Sequence, residues 1–194
     1  MPPPVKSRAH LSKMRVLVEL LEARREGSRR IHADEVIVSD VVNCNGRRYP
    51  ANVVRSAVEE VRGHLEERVG QDRPVYYLGE VEHPLHKVTR HPNLLETVVK
   101  WDEISFDGGS VSLGGQLLET AKGMDILALM EGGVQPGVSV RGHGQSKRVK
   151  EDGQSVEEVT EAHITGFDLV VEPSFSNAEA VLESERGIEE EESE

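Results

Sequence analysis

The apolar residues of this chain change their period several times, and that alternation constrains the fold more than any other feature. Segments 33–42 (ADEVIVSDVV), 74–81 (PVYYLGEV), 97–105 (TVVKWDEIS), 110–118 (SVSLGGQLL), 136–142 (PGVSVRG) and 161–171 (EAHITGFDLVV) are short, rich in β-branched residues and punctuated by Gly or Pro, as strands are. Segments 51–68 and 120–131 repeat their apolar residues at helical spacing. The first runs Val53, Val54, Ala57, Val58, Val61, His64 and Leu65; the second carries Ala121, Met124, Leu127 and Leu129 and stops at Gly132-Gly133. Segment 14–23 (MRVLVELLEA) fits either period. The excess of strands over helices predicts an α+β fold, a mainly antiparallel β-barrel, closed or nearly so, covered by a few helices.

A length of 194 residues suits one domain with a substantial core. Residues 1–12 are Pro-rich and basic, and residues 181–194 (VLESERGIEEEESE) end in a run of Glu that repels itself, so both are expected to be flexible around a domain spanning 13–180. Lys and Arg total 23 against 35 Asp and Glu, a net charge of −12, which argues against nucleic acid or an anionic membrane as a partner. The amino-terminal stretch lacks an apolar h-region and Val16 to Leu21 is too short to span a bilayer, so neither secretion nor membrane insertion is expected. Cys44 is the only cysteine, so there is no intramolecular disulfide and no Cys-based zinc cluster, in keeping with a reducing cytoplasm.

Three short stretches carry chemistry. In Gly137-Val138-Ser139-Val140-Arg141-Gly142 the serine is not in a nucleophile elbow, because Arg141 stands where that motif needs Gly and no helix pattern follows. A strand here puts Ser139 and Arg141 on one face and the valines on the other. In Gly79-Glu80-Val81-Glu82-His83-Pro84, the proline biases His83 toward extended backbone and fixes the exit of the chain, so an imidazole that titrates near neutrality is held at a strand end. In the strand-like run from His163 to Val171, Asp168 shares a face with Ile164, Gly166 and Val170, and a carboxylate on an apolar face needs a partner. Each also has a plain structural reading: a half-buried edge strand, a surface or core histidine, an Asp pairing with Arg or capping a turn. Metal chemistry is the competing assignment, since His83, His86 and His91 cluster with Glu80 and Glu82. Their spacing matches no ligand motif, Pro84 breaks any helix there, and no metal is expected. There is no P-loop and no dinucleotide fingerprint.

Taken in order, these stretches together with Asn43-Cys44-Asn45-Gly46-Arg47-Arg48-Tyr49-Pro50 and Asp168-Leu169-Val170-Val171-Glu172-Pro173-Ser174 resemble the prohead core protease family of tailed phages, whose members share the assemblin-like fold of herpesvirus maturation proteases. The resemblance covers roughly residues 14–180. It implies a serine endopeptidase with no cofactor, a homo-oligomer that cleaves scaffold and major capsid proteins inside the assembling procapsid, in the cytoplasm of the bacterial host. It assigns Ser139 as nucleophile, His83 as general base and Asp168 as the acid that orients it. Many relatives have two adjacent serines in the nucleophile motif; Val140 fills the second position here. Herpesvirus relatives use a second histidine as the third member, so His163 competes with Asp168, which is preferred because its carboxylate needs such a partner. Arg141, with Gly142 beside it, is implied as support for the oxyanion, through a backbone N–H or through the side chain and a water. The alternatives are a catalytically inactive capsid-assembly or scaffold protein of the same fold and, less favoured, a metal hydrolase using His83, His86 and His91.

Overall fold

A computed structural model describes residues 29–67, 75–83, 92–151 and 153–182. The amino-terminal segment, the ambiguous stretch 14–23, His86, His91 and most of the acidic tail lie outside the described residues. The strands are β1 (Arg30–Val38), β2 (Arg47–Arg48), β3 (Tyr77–Glu80), β4 (Thr97–Asp107), β5 (Ser110–Leu117), β6 (Gly137–Glu151), β7 (Gln154–Val170) and β8 (Ala180–Leu182); the helices are α1 (Ala51–Glu67) and α2 (Ala121–Glu131).

Among the described residues the strands make one sheet in the order β2-β7-β3-β4-β5-β1-β8, with β6 also on β7. Neighbours are antiparallel except β2 and β3, which run parallel to β7. The amide of Ala180 donates to the carbonyl of Pro136 at 2.8 Å, and Gly137 bridges Glu179, so the chain entering β8 touches the chain entering β6 and the sheet curls into a partly closed barrel. The core inside it includes Ile31, Val99, Trp101, Leu113, Leu117, Phe167 and Leu169, each contributing roughly 1.5–3 kcal/mol on burial. Val181 and Leu182 complete β8 against His32 and Ile31, and Leu182 is buried.

Helix α1 buries Val53, Val54, Ala57, Val58 and Val61 against β7 and β4, the face that its sequence period predicts. Helix α2 differs from expectation. Thr120 caps it by accepting from the amide of Gly123, but the residues it buries are Gly123, Leu127 and Met130, while Met124 and Leu129 are exposed. The strands expected at 136–142 and 161–171 are the buried ends of a longer hairpin. Its outer half carries cross-strand charge pairs in place of apolar alternation, with Lys147 opposite Glu158 and Arg148 opposite Glu157.

One glycine determines how closely β3 approaches β7. A Cβ at Gly79 would lie 2.3 Å from the carbonyl oxygen of Phe167 and 3.0 Å from Nε1 of Trp101, the pair that forms a buried hydrogen bond of 2.8 Å. Only glycine leaves room for that contact. The chain leaving β3 is thereby brought beside Asp168, the residue after Phe167.

Candidate active site

Ser139 faces Asp168 directly across the β6–β7 ladder. The parallel strand β3 lies on the other side of β7, and its extension carries His83 back over the pair. Glu82 makes that turn in the left-handed region, at φ 60°, where a non-glycine residue costs of order 1–3 kcal/mol. Its amide donates to the carbonyl of Leu169 at 2.7 Å, and its carboxylate accepts the amide of Val171 at 3.1 Å. The two bonds hold the conformation.

The result is a continuous line of contacts. Nδ1 of His83 lies 2.8 Å from Oδ2 of Asp168, and Nε2 lies 3.0 Å from Oγ of Ser139. Asp168 is an acceptor when ionised, so the proton sits on Nδ1 and Nε2 presents its lone pair to the serine hydroxyl. Ser139 is 3% exposed and Asp168 is fully buried, whereas 45% of the His83 side chain is open to solvent, so the imidazole lies over the other two. This arrangement permits proton transfer from a nucleophilic hydroxyl to a base that a buried carboxylate orients.

The other oxygen of Asp168 has partners of its own. Oδ1 accepts from the amide of Glu80 at 3.0 Å and faces Nη2 of Arg141 at 3.0 Å. Nη1 of Arg141 donates to Oε1 of Glu80 at 2.6 Å, and that oxygen also accepts the amide of Asn93 at 2.8 Å. Two carboxylates and one guanidinium leave one net negative charge directly behind the imidazole. Sequence reasoning considered Glu80 only as a metal ligand. Its real partner is set by the β3–β7 pairing, which no local pattern reveals.

The remaining sequence-derived candidates are placed as follows. The guanidinium of Arg141 lies on the acid side of the site, paired with Glu80 and Asp168. Gly142 lies beside a bulge in β7, where Thr165 is the extra residue between the partners of Arg141 and Gly142, and a Cβ there would meet the carbonyl oxygen of His163 at 2.5 Å, which is a packing reason for glycine. His163 is apart from the site: Nδ1 lies 2.9 Å from Glu60, Nε2 3.2 Å from Glu161, and its ring stacks on His143. Its pKa is raised by the hydrogen bonds to Glu60 and Glu161. It lines a cleft of about 330 Å³ together with Tyr49, Val140 and His143, and none of Ser139, His83 and Asp168 borders that cleft. Both ring nitrogens of His83 and the carboxylate of Glu80 are engaged as described, and no group of three metal-ligating side chains forms among the described residues.

Two residues not assigned from sequence complete the surroundings of Ser139. Oγ of Ser174 lies 3.4 Å from Oγ of Ser139, and Nδ2 of Asn45 donates to Ser174 Oγ at 2.9 Å. Both belong to stretches that carry the family resemblance, which was the only signal for them.

A protein family described as prohead core protein serine protease matches residues 29–190. The solved structure of the bacteriophage T4 capsid assembly protease, gp21, is similar in fold, with a TM-score of 0.57 and 23% sequence identity, covering 72% of this chain and 80% of that one. No match is found among the curated proteins. With the match running from β1 to beyond β8, the chain belongs to the prohead core serine protease family.

Proposed function

We propose that this chain is an active serine endopeptidase in which Ser139 is the nucleophile, His83 the general base and acid, and Asp168 the orienting carboxylate. The observation that carries the reading is the unbroken contact line from Ser139 Oγ through both nitrogens of His83 to Asp168. Ser139 Oγ bonds to the peptide carbonyl carbon, its proton passes to His83 Nε2, and the carbonyl π pair moves onto oxygen. Collapse breaks the C–N bond as the imidazolium gives its proton to the leaving amine, and water then releases the acyl group by the same steps. The negative charge of the Glu80–Arg141–Asp168 cluster favours the imidazolium that forms between these steps. Membership of a prohead core protease family and the likeness to the T4 capsid assembly protease support substrates among scaffold and capsid proteins inside an assembling procapsid.

A fluorophosphonate probe tests the assignment. Labelling of the wild type and none of Ser139→Ala is the expected result; a folded wild type that does not label, or a Ser139→Ala variant that still does, overturns it.

A further inference from the structure

Ser174 has a hydroxyl next to the reacting oxygen and no place in the proton path. Its surroundings occupy one lone pair of that hydroxyl. Asn45 donates to Ser174 Oγ from its side-chain amide, and the backbone amide of Cys44 donates to the Ser174 carbonyl at 3.1 Å. The turn that carries them is itself tied down: the side-chain oxygen of the buried Asn43 accepts the amides of Asn45 and Arg47, both at 3.0 Å, and Gly46 adopts φ 72° to close it. A hydroxyl has one proton. With Asn45 occupying a lone pair of Ser174 Oγ, that proton is free to point toward Ser139, whose own proton is directed to His83.

The separation of 3.4 Å between the two hydroxyl oxygens is longer than a settled O–H···O bond. It becomes useful once Ser139 Oγ bonds to carbon, because the former carbonyl oxygen is then attached to that same carbon and carries the negative charge. A preorganised donor aimed at this region is stronger in the transition state than in the resting enzyme. The guanidinium of Arg141 is held behind Asp168 and does not supply it.

We propose that Ser174 is a catalytic residue, a hydroxyl donor to the oxyanion formed on attack by Ser139, and that Asn45 is the positioning residue that sets its direction. The inference rests on Ser139 as nucleophile. In the step, the Ser139 Oγ–C bond forms, the π pair of C=O becomes the oxyanion lone pair, the Ser139 proton goes to His83, and Ser174 keeps its own proton while hydrogen-bonding the oxyanion.

The rate of fluorophosphonate labelling of the full chain measures this, since the Ser139 Oγ–P bond forms, the P–F bond breaks with loss of fluoride, and charge builds on the phosphoryl oxygen. Ser174→Ala is expected to label roughly 10- to 100-fold more slowly than wild type, at or below the roughly 100-fold lower bound for losing one oxyanion donor, and Ser174→Thr to stay within about fivefold. Asn45→Asp turns the donor into an acceptor that draws the Ser174 proton away, and is expected to slow labelling in the wild type but not in Ser174→Ala. A slowing that persists unchanged in the Ser174→Ala background would mean a charge effect on His83 and would overturn the role of Asn45. Ser174→Ala labelling within about twofold of wild type, with Ser139→Ala silent, overturns the Ser174 role alone; labelling of Ser139→Ala overturns the nucleophile assignment and this proposal with it.

Discussion

Arg141 meets Asp168 from behind: Nη2 lies 3.0 Å from Oδ1, on the side of the carboxylate away from the oxygen that meets His83. The same guanidinium grips Glu80, and both Arg141 and Glu80 are buried. A planar fork serving two carboxylates fixes the plane of Asp168 and therefore of the imidazole.

Removing that cation strands two buried carboxylates against each other. Arg141→Met is expected to lower stability by about 3–5 kcal/mol, read from urea denaturation, the cost typical of breaking a buried pair from one side. Arg141→Lys keeps the charge but not the fork, so it is expected to recover most of the stability and only part of the activity.

Asp168→Asn removes the charge that balances the imidazolium and permits the wrong imidazole tautomer, while preserving shape. A fall of about 10³- to 10⁴-fold in kcat is expected on a peptide substrate, with KM little changed. A loss of less than tenfold would show that Asp168 is a structural carboxylate only.

Gly79→Ala tests the close approach of β3 to β7. Its Cβ would sit 2.3 Å from the Phe167 carbonyl oxygen, a backbone atom that yields only if the strands separate. The expected cost is about 1–3 kcal/mol, with a change in the fluorescence of Trp101, whose Nε1 bonds that oxygen. Labelling of Ser139 is expected to slow as well, because His83 depends on the same strand.

The parts of this architecture that follow from period were legible in the sequence. Ser139 and Arg141 fall on one strand face by alternation alone, and the buried stripe of α1 follows from Val53 to Val61. Alternation fails in the outer half of the β6–β7 hairpin, where the β6 residues are largely exposed, only Val156 and Val159 of β7 are buried and charges pair across the strands, and in α2, a short helix that buries Met130 and leaves Met124 exposed. Register was not legible. That Glu80 meets Arg141, or that Asn45 meets Ser174 across 129 positions, depends on how strands and turns are paired, and no residue type announces it. His83 entered through the ordered resemblance of motifs, since nothing local connects it to a serine 56 positions on.

His163 offers a test that separates a titrating histidine from a catalytic one. Its hydrogen bonds to Glu60 and Glu161 raise its pKa, so the folded state holds its proton more tightly than the unfolded chain does. The contribution of this pairing to stability is therefore full below the unfolded histidine value near 6.5 and is lost as pH rises through the higher folded value. It is expected to be small, because the group is exposed and screened by solvent. In a proton-detected titration the His163 ring should change charge later than a free imidazole, and Glu60→Gln should bring it earlier. His163→Ala is expected to keep kcat/KM within about twofold of wild type and to leave the pH profile of activity unmoved, because the ring lies on Glu60 and Glu161 and not on Ser139. A loss comparable to that of Asp168→Asn would assign the third catalytic position to His163.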